Sequence, residues 1–262
     1  MARVTISTRL LAVAVATLCL SVTPARARTV EEVVQKHLDW LNRVDNYVVE
    51  IKIKGMSTTL GRASVDNTKS PVEADFVGQQ VPLGPSGRHA LAISGSPQRT
   101  RAVLDGTRYT DWQLPAAPVF TLFQRGATLT QTMNRISLIA TTTQVLENPV
   151  GRRVGLRMDM ATSYLGKLET TLDNVLLGQP LAPTFKVTLW FNEDGRIDRM
   201  VSQEGKPDQV VTNLNYLAIN VSSERRRELV PPMPVARSAR SYPSFADMIR
   251  SVMQQEEGTG AQ

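Results

Sequence analysis

The stretch Phe185-Lys186-Val187-Thr188-Leu189-Trp190-Phe191-Asn192-Glu193-Asp194-Gly195-Arg196-Ile197 decides the fold class. Six of its first seven residues, all but Lys186, are aromatic, β-branched or aliphatic, the composition of a strand. Asn192-Glu193-Asp194-Gly195 is a turn, and it sends the chain back through Arg196 to Gln203. Gly205-Lys206-Pro207-Asp208 turns it again into Val210 to Val221. Three consecutive strands joined by tight turns form an antiparallel meander, which needs no crossover helix.

Toward the N-terminus the same period of two recurs. Tyr47, Val49, Ile51 and Ile53 alternate with Val48, Glu50, Lys52 and Lys54. One face is apolar and the other mostly charged, as in a sheet wetted on one side. Arg88 to Ser94 reads as a strand. Arg101 to Trp112 reads as a hairpin, with Asp105-Gly106 at the turn between Ala102-Val103-Leu104 and Arg108-Tyr109-Thr110. Thr141 to Leu146 and Val154 to Met160 are two more strands. Residues 55–87 are rich in Gly, Ser, Pro and Asn, and only short strands near Ala74-Asp75-Phe76 are expected there. Residues 164–183 match no single period.

Helical spacing appears in three places. Val30, Val33, Val34, Leu38 and Leu41 share a face, and Thr29 with Glu32 has the spacing of a capping box. Leu129 to Ile139 has helical character. Beyond Pro231 a segment with Pro232, Pro234 and Pro243 reads as an extended linker. It ends in an amphipathic helix over 244–256, with Phe245, Met248, Ile249, Val252 and Met253 on one face. That stripe predicts docking on the helix's own domain, or else on a partner protein of the envelope. The fold class expected is α+β, a strongly curved antiparallel sheet with helices.

The first residues have the export pattern. Arg3 and Arg9 precede the apolar run Leu10 to Val22, and Ala25-Arg26-Ala27 is a small-x-small cleavage site. The run is shorter than the ~20 residues of a membrane-spanning helix, and no longer one follows. The expected domains are a signal peptide over 1–27, one globular domain over 28–230, and the tail over 231–262. Localisation is then periplasmic or secreted, with no transmembrane segment after cleavage. Cleavage of 27 residues from 262 leaves 235, and removes Cys19, the single cysteine, so the mature chain forms no disulfide. It also removes three arginines and no acid, so the net charge falls from +6 to +3. That balance gives no support to nucleic acid as a partner, and Arg225-Arg226-Arg227 reads as a solvated face.

Catalytic patterns are missing from the sequence. There is no G-x-S-x-G elbow, no phosphate-binding glycine loop and no HExxH. Its two histidines, His37 and His89, are expected in surface or capping roles. Neither a catalytic residue, a metal site nor a cofactor is expected, and the chain reads as a non-enzyme.

The organisation resembles the LolA/LolB/LppX superfamily of periplasmic lipoprotein and lipid carriers. Three stretches carry the resemblance: the first helix with Tyr47-Val48-Val49-Glu50-Ile51, the hairpin Val103 to Trp112, and the meander around Val187 to Ile197. Leu214-Asn215-Tyr216 followed by Pro231-Pro232 is similar to the family's closing segment. The resemblance implies a curved antiparallel half-barrel with helices covering its concave face, and a cavity that holds a lipid, a lipoprotein acyl chain or another apolar ligand. No position matches the family's lid arginine by motif, and no functional residue is carried over. Candidate lining residues are Val49, Ile51, Ile53, Tyr109, Trp112, Leu189, Phe191, Leu214 and Tyr216. Packed core is the other reading of each. The energetics of a carrier are adequate: at about 0.8 kcal/mol per methylene, a sixteen-carbon chain gains on the order of 10 kcal/mol on leaving water. A second function class stays open: a sensor or scaffold domain of a cell-envelope complex, docking through helix 244–256.

Overall fold

A computed structural model describes residues 28–56, 59–69, 72–83, 87–96, 99–112, 122–148, 152–161, 184–203, 205 and 209–259. The expected signal peptide over 1–27 and the unassigned residues 164–183 lie outside them. Helix α1 (Val30–Arg43) leads into β1 (Asn46–Ile53), β2 (Gly61–Asp66), β3 (Glu73–Pro82), β4 (Arg88–Ser96), β5 (Arg99–Leu104) and β6 (Arg108–Trp112). Helix α2 (Leu129–Ile139) precedes β7 (Ala140–Asn148), β8 (Arg153–Ala161), β9 (Thr184–Phe191), β10 (Ile197–Ser202) and β11 (Val210–Ile219). The chain closes with α3 (Ser223–Leu229), β12 (Arg240–Ser241) and α4 (Phe245–Thr259). All twelve strands form one open, curved sheet, ordered β12-β6-β5-β4-β3-β2-β1-β11-β10-β9-β8-β7. Every pairing is antiparallel except β12 with β6.

Local chemistry sets the helix starts. The Thr29 Oγ1 accepts the Glu32 amide at 3.2 Å, and the Glu32 carboxylate accepts the Thr29 amide at 3.0 Å. Thr128 and Gln131 repeat this reciprocal cap at α2. Each pair satisfies two of the amides that a helix start leaves open.

Strands β2 and β3 are longer than the short segments expected within 55–87. Gly61, Ala63 and Val65 give β2 a small-residue face with no strong apolar signal. Pairing over Asn46–Ile51 and Asp66–Gly61 makes it a strand regardless. The Phe76 ring of β3 lies across Gly61, where a Cβ would meet the ring at 2.6 Å. That glycine serves close approach, where its composition suggests a loop.

Strand register shows which side chains share a face. Directly opposed residues of an antiparallel pair point the same way. Starting from Val49, the chain of partners runs through Ala63, Phe76, Ile93 and Ala102 to Thr110. In the other direction Val49 opposes Tyr216 and Ile51 opposes Leu214. Thr212 then opposes Met200, Met200 opposes Leu189, and Leu189 opposes Leu156. This is one continuous inner face, preserved through bulges at Val48/Val49 and Ile197/Arg199.

Two separate cores are built on that inner face. In the first, Val33, Val34, Leu38 and Leu41 of α1, with Ile136 and Ile139 of α2, pack on Leu156, Met158 and Phe191. In the second, Phe245, Met248, Ile249 and Val252 of α4 pack on Leu91, Ala102 and Leu104. The amphipathic tail helix therefore docks on its own domain. Its tether wraps the sheet edge: Ala236 N–H donates to Gly106 O, Arg240 N–H to Thr107 O and Tyr242 N–H to Tyr109 O. The tether begins on the opposite, outer face, where α3 sits. There Arg226 is half-buried and pairs with Asp66 at 3.0 Å, while Arg225, paired with Glu228 at 2.7 Å, and Arg227 are exposed, so the expected solvated face holds for two of the three arginines.

Ile249 is fully buried. Replacing Ile249 with Ala is expected to cost about 2–4 kcal/mol in urea unfolding, the loss typical of a buried aliphatic truncated to a methyl. Gly195 has φ +88°, and a Cβ there would lie 2.5 Å from the Lys36 carbonyl oxygen. Gly195→Ala should lower the melting temperature more than the ~1–2 kcal/mol of left-handed strain alone would.

Candidate functional site

Between the two cores the inner face is left without a described helix. Ile51 and Ile53 on β1, Leu214 on β11 and Met200 on β10 point into this gap and belong to neither core. Ile51, Ile53 and Leu214 are half-buried. Met200 is 37% exposed, and Val210, next along the same face of β11, is 40% exposed. Leu189 and Phe76 border the gap as partly buried flanks of the two cores. The arrangement is an apolar floor three strands wide, formed by β1, β11 and β10.

The candidate lining residues divide accordingly. Ile51, Ile53 and Leu214 are together on the gap floor. Val49 and Phe191 are buried, and Leu189 and Tyr216 pack against the first core. Tyr109 stands on the outer face, opposite Val103, with the Arg101 guanidinium 5.6 Å from its ring centre. It departs from the common face because β6 alternates, and Thr110 takes the inner position. Trp112 ends β6, and its side chain lies outside the described residues. Met200 and Val210 were not among the sequence candidates. The signal that would have found them is inter-strand register, since each adjoins another apolar residue, Val201 or Val211, and the sequence does not say which of the two faces inward.

The space directly under the helices is filled. Leu38, Leu156 and Met158 in the first core, and Leu104, Met248 and Ile249 in the second, are 2% exposed or less. Aromatic rings close the first core on the gap side. Trp40 of α1 meets Tyr47 at 5.5 Å and Tyr216 at 5.7 Å between ring centres. The Tyr216 hydroxyl donates to Ile197 O at 3.0 Å. Burial pushes the Tyr47 phenol up to about 12, and raises Tyr216 further.

His37 is a correction to the surface or capping role expected. It is buried in the first core, with ring centres 4.8 Å from Phe123 and 5.2 Å from Phe191. Its Nδ1–H donates to the Gly195 carbonyl at 2.8 Å, which fixes the neutral tautomer and ties α1 to the β9–β10 turn. A lone polar residue on an apolar helix face gives no sign of this, because its acceptor is a backbone oxygen 158 residues away. His89 is also engaged, with its Nδ1 2.8 Å from the Asp105 carboxylate.

Four cavities of about 280–370 Å³ are bounded by described residues. Three line the outer face around α3 and the tether, and the fourth lies at the sheet end beside Asp45, Asn67 and Arg125. Among the described residues, no group of three His, Cys, Asp or Glu is placed to hold a metal ion. No described helix is long and apolar enough to cross a membrane.

The fold defined by these elements is an open antiparallel sheet with α1, α2 and α4 packed on one face and α3 on the other. The chain is similar to LprF from Mycobacterium bovis, with 12% identity and a TM-score of 0.38, over 80% of this chain and 96% of that one. It is similar to the lipoprotein LppX of Mycobacterium tuberculosis, with 11% identity and a TM-score of 0.39, over 73% and 95%. It is similar to the LolA superfamily protein NE2245 from Nitrosomonas europaea, with 11% identity and a TM-score of 0.32, over 75% and 94%. No protein-family model matches the chain, and no curated protein matches it in sequence.

The buried histidine makes stability depend on pH. Burial lowers the His37 pKa from 6.5 to about 4, against the opposing hydrogen bond to Gly195. Between those two pH values the unfolded chain binds a proton that the folded chain refuses. The contribution is complete above pH 6.5 and is lost as pH falls toward 4. Urea unfolding should show about 3 kcal/mol of loss across that window from this group. The slope should flatten in His37→Gln, even if that variant is less stable at every pH.

Proposed function

We propose that this protein is an exported, non-catalytic carrier or binding protein that holds an apolar ligand on the concave face of its sheet. The ligand class is a lipid, a lipoprotein acyl chain or a similarly apolar molecule. One observation carries the reading: Ile51, Ile53, Leu214 and Met200 form a contiguous apolar floor that neither helix-bearing core covers. Such a surface is costly in water, and monomeric proteins keep contiguous ones for binding.

The chemistry of the floor suits a chain with no directional demands. Its side chains offer dispersion contact and no charge, so selectivity comes from length and girth. Thr212 and Ser202 are the hydroxyls on this face beside them. Helices α1 and α4 on either side would confine the ligand laterally and set how wide a molecule fits. The residues that hold the ligand are then Ile51, Ile53, Leu214 and Met200, with Leu189 and Phe76 as walls. The tail helix uses its apolar stripe on its own sheet, so nothing favours the scaffold reading in which that stripe meets a partner.

Delipidated mature protein should take up a fluorescent sixteen-carbon fatty acid saturably. The double substitution Leu214→Gln and Met200→Gln should weaken uptake at least tenfold, from the loss of about 1.5–3 kcal/mol per apolar side chain. The same substitutions should leave the melting temperature within a few degrees, because both positions are half-buried or exposed. Protein that binds no fatty acid, or binds it equally well after both changes, would refute the carrier reading. Mass spectrometry of the exported protein should find Arg28 as its first residue.

A further inference from the structure

Two of the outer-face cavities meet under α3 and the tether. One, of about 310 Å³, has Val77, Ala92 and Val103 as its floor and Val230, Met233 and Val235 as its roof. The other, of about 280 Å³, is lined by Asp66, Lys69, Glu73 and Arg226. They share Asp75, Arg227 and Val230, so the result is one cleft with an apolar end and an ionic end. Val77, Ala92 and Val103 oppose one another or Arg62 in register, on the face turned away from α1 and α4. The cleft is therefore separate from the inner-face floor, and nothing argued for that floor bears on it.

The ionic end is charge-balanced in a particular way. Arg226 is engaged with Asp66 at 3.0 Å, and at the apolar end Arg101 is engaged with Asp111 at 2.7 Å. Lys69 and Arg227 remain, facing Glu73 and Asp75. Two cations and two anions line the same opening, so neither a plain anion nor a plain cation gains a net field there. Glu73 and Asp75 are two apart on β3 and share a face. Partial burial and the Glu73 charge hold the Asp75 carboxyl above its ordinary range, an arrangement that an added ammonium relieves.

We propose that this cleft is a second ligand site, for a single-chain zwitterionic amphipath whose head carries both an ammonium and an anionic group. The ammonium sits against Asp75 and Glu73, the anion against Arg227 and Lys69, and the chain under Met233 and Val235. The apolar end has room for roughly ten carbon-sized groups at about 30 Å³ each, which suits a lipid-like chain better than an amino-acid side chain. A one-chain phospholipid and an apolar amino acid share the head chemistry, and chain length separates them.

Calorimetric titration of the full mature protein with dodecylphosphocholine, below its micelle-forming concentration, tests the site. One saturable site is expected. The double substitution Asp75→Asn and Arg227→Gln should weaken it at least tenfold while the thermal melt stays unchanged, because both side chains are solvent-exposed. Dodecyl maltoside, with an uncharged head, should bind at least tenfold more weakly. Equal affinity for the two detergents, or no change in the double variant, would overturn the ionic assignment. Tighter binding of free leucine than of dodecylphosphocholine would overturn the lipid-like source. Absence of any saturable binding would overturn the site itself.

Discussion

The constraint on which this protein depends is the unbroken antiparallel ladder from β6 across to β7. Eleven strands hold one register of faces, so that every inward side chain on one strand meets inward side chains on its neighbours. A slip of one residue anywhere would turn a whole strand inside out. Four bulges interrupt the described ladders, at Val48/Val49, Ile197/Arg199, Gly78/Val81 and Ala140/Thr142, and the first two show how the alignment is kept where the spacing would otherwise fail. At Val48/Val49 the bulge on β11 keeps both Tyr216 and Ile219 inward and leaves Leu217 exposed. At Ile197/Arg199 it keeps Ile197 and Met200 inward, while Asp198 meets Arg153 on the outer side at 2.8 Å. Each bulge is a local irregularity that preserves a global pattern.

Among the described residues, the inner face of this sheet is wider than helices α1, α2 and α4 cover. Helices α1 and α2 are joined to one wing by Leu38, Ile136 and Ile139 packed on Leu156 and Met158, and by the His37–Gly195 hydrogen bond. Helix α4 is joined to the other wing by Met248 and Ile249 packed on Ala102 and Leu104. The strands between, β1, β11 and β10, are held by their ladders and by the flanking aromatic set of Trp40, Tyr47 and Tyr216. Their apolar side chains Ile51, Ile53, Leu214 and Met200 are thus held in place by strand pairing and belong to neither core among the described residues.

The outer face shows the complementary chemistry. Its strands carry Glu50, Arg62, Asp75 and Arg101 in cross-strand ion pairs or near them, and α3 adds Arg226 to Asp66. The tether then leads the chain around the β6 edge, where β12 covers backbone groups that an edge strand leaves unpaired. The same segment that shields this edge also delivers α4 to the inner face.

Much of the architecture was legible in residue order. The Asp105-Gly106 turn was readable because both residues take positive φ, 52° and 67°, which their chemistry favours. The helices were readable because Thr29 with Glu32, and the apolar stripe of Phe245, Met248 and Ile249, are local patterns. Strand β2 and the second half of β3 were not, since Gly61 and Gly78 look like loop residues until a partner strand lies against them, whereas the first half of β3 was expected near Ala74-Asp75-Phe76. His37 was misjudged for the same reason, its acceptor being a backbone oxygen of a distant turn. The division of the candidate residues had no local signal at all: Tyr109 and Thr110 are neighbours in sequence, and strand pairing alone turns one outward and the other inward. Short-range preference for turn, cap or strand acts within a few residues, and sequence carries it. Which apolar side chains become core and which stay as an open floor depends on where the helices land, and only long-range packing decides that.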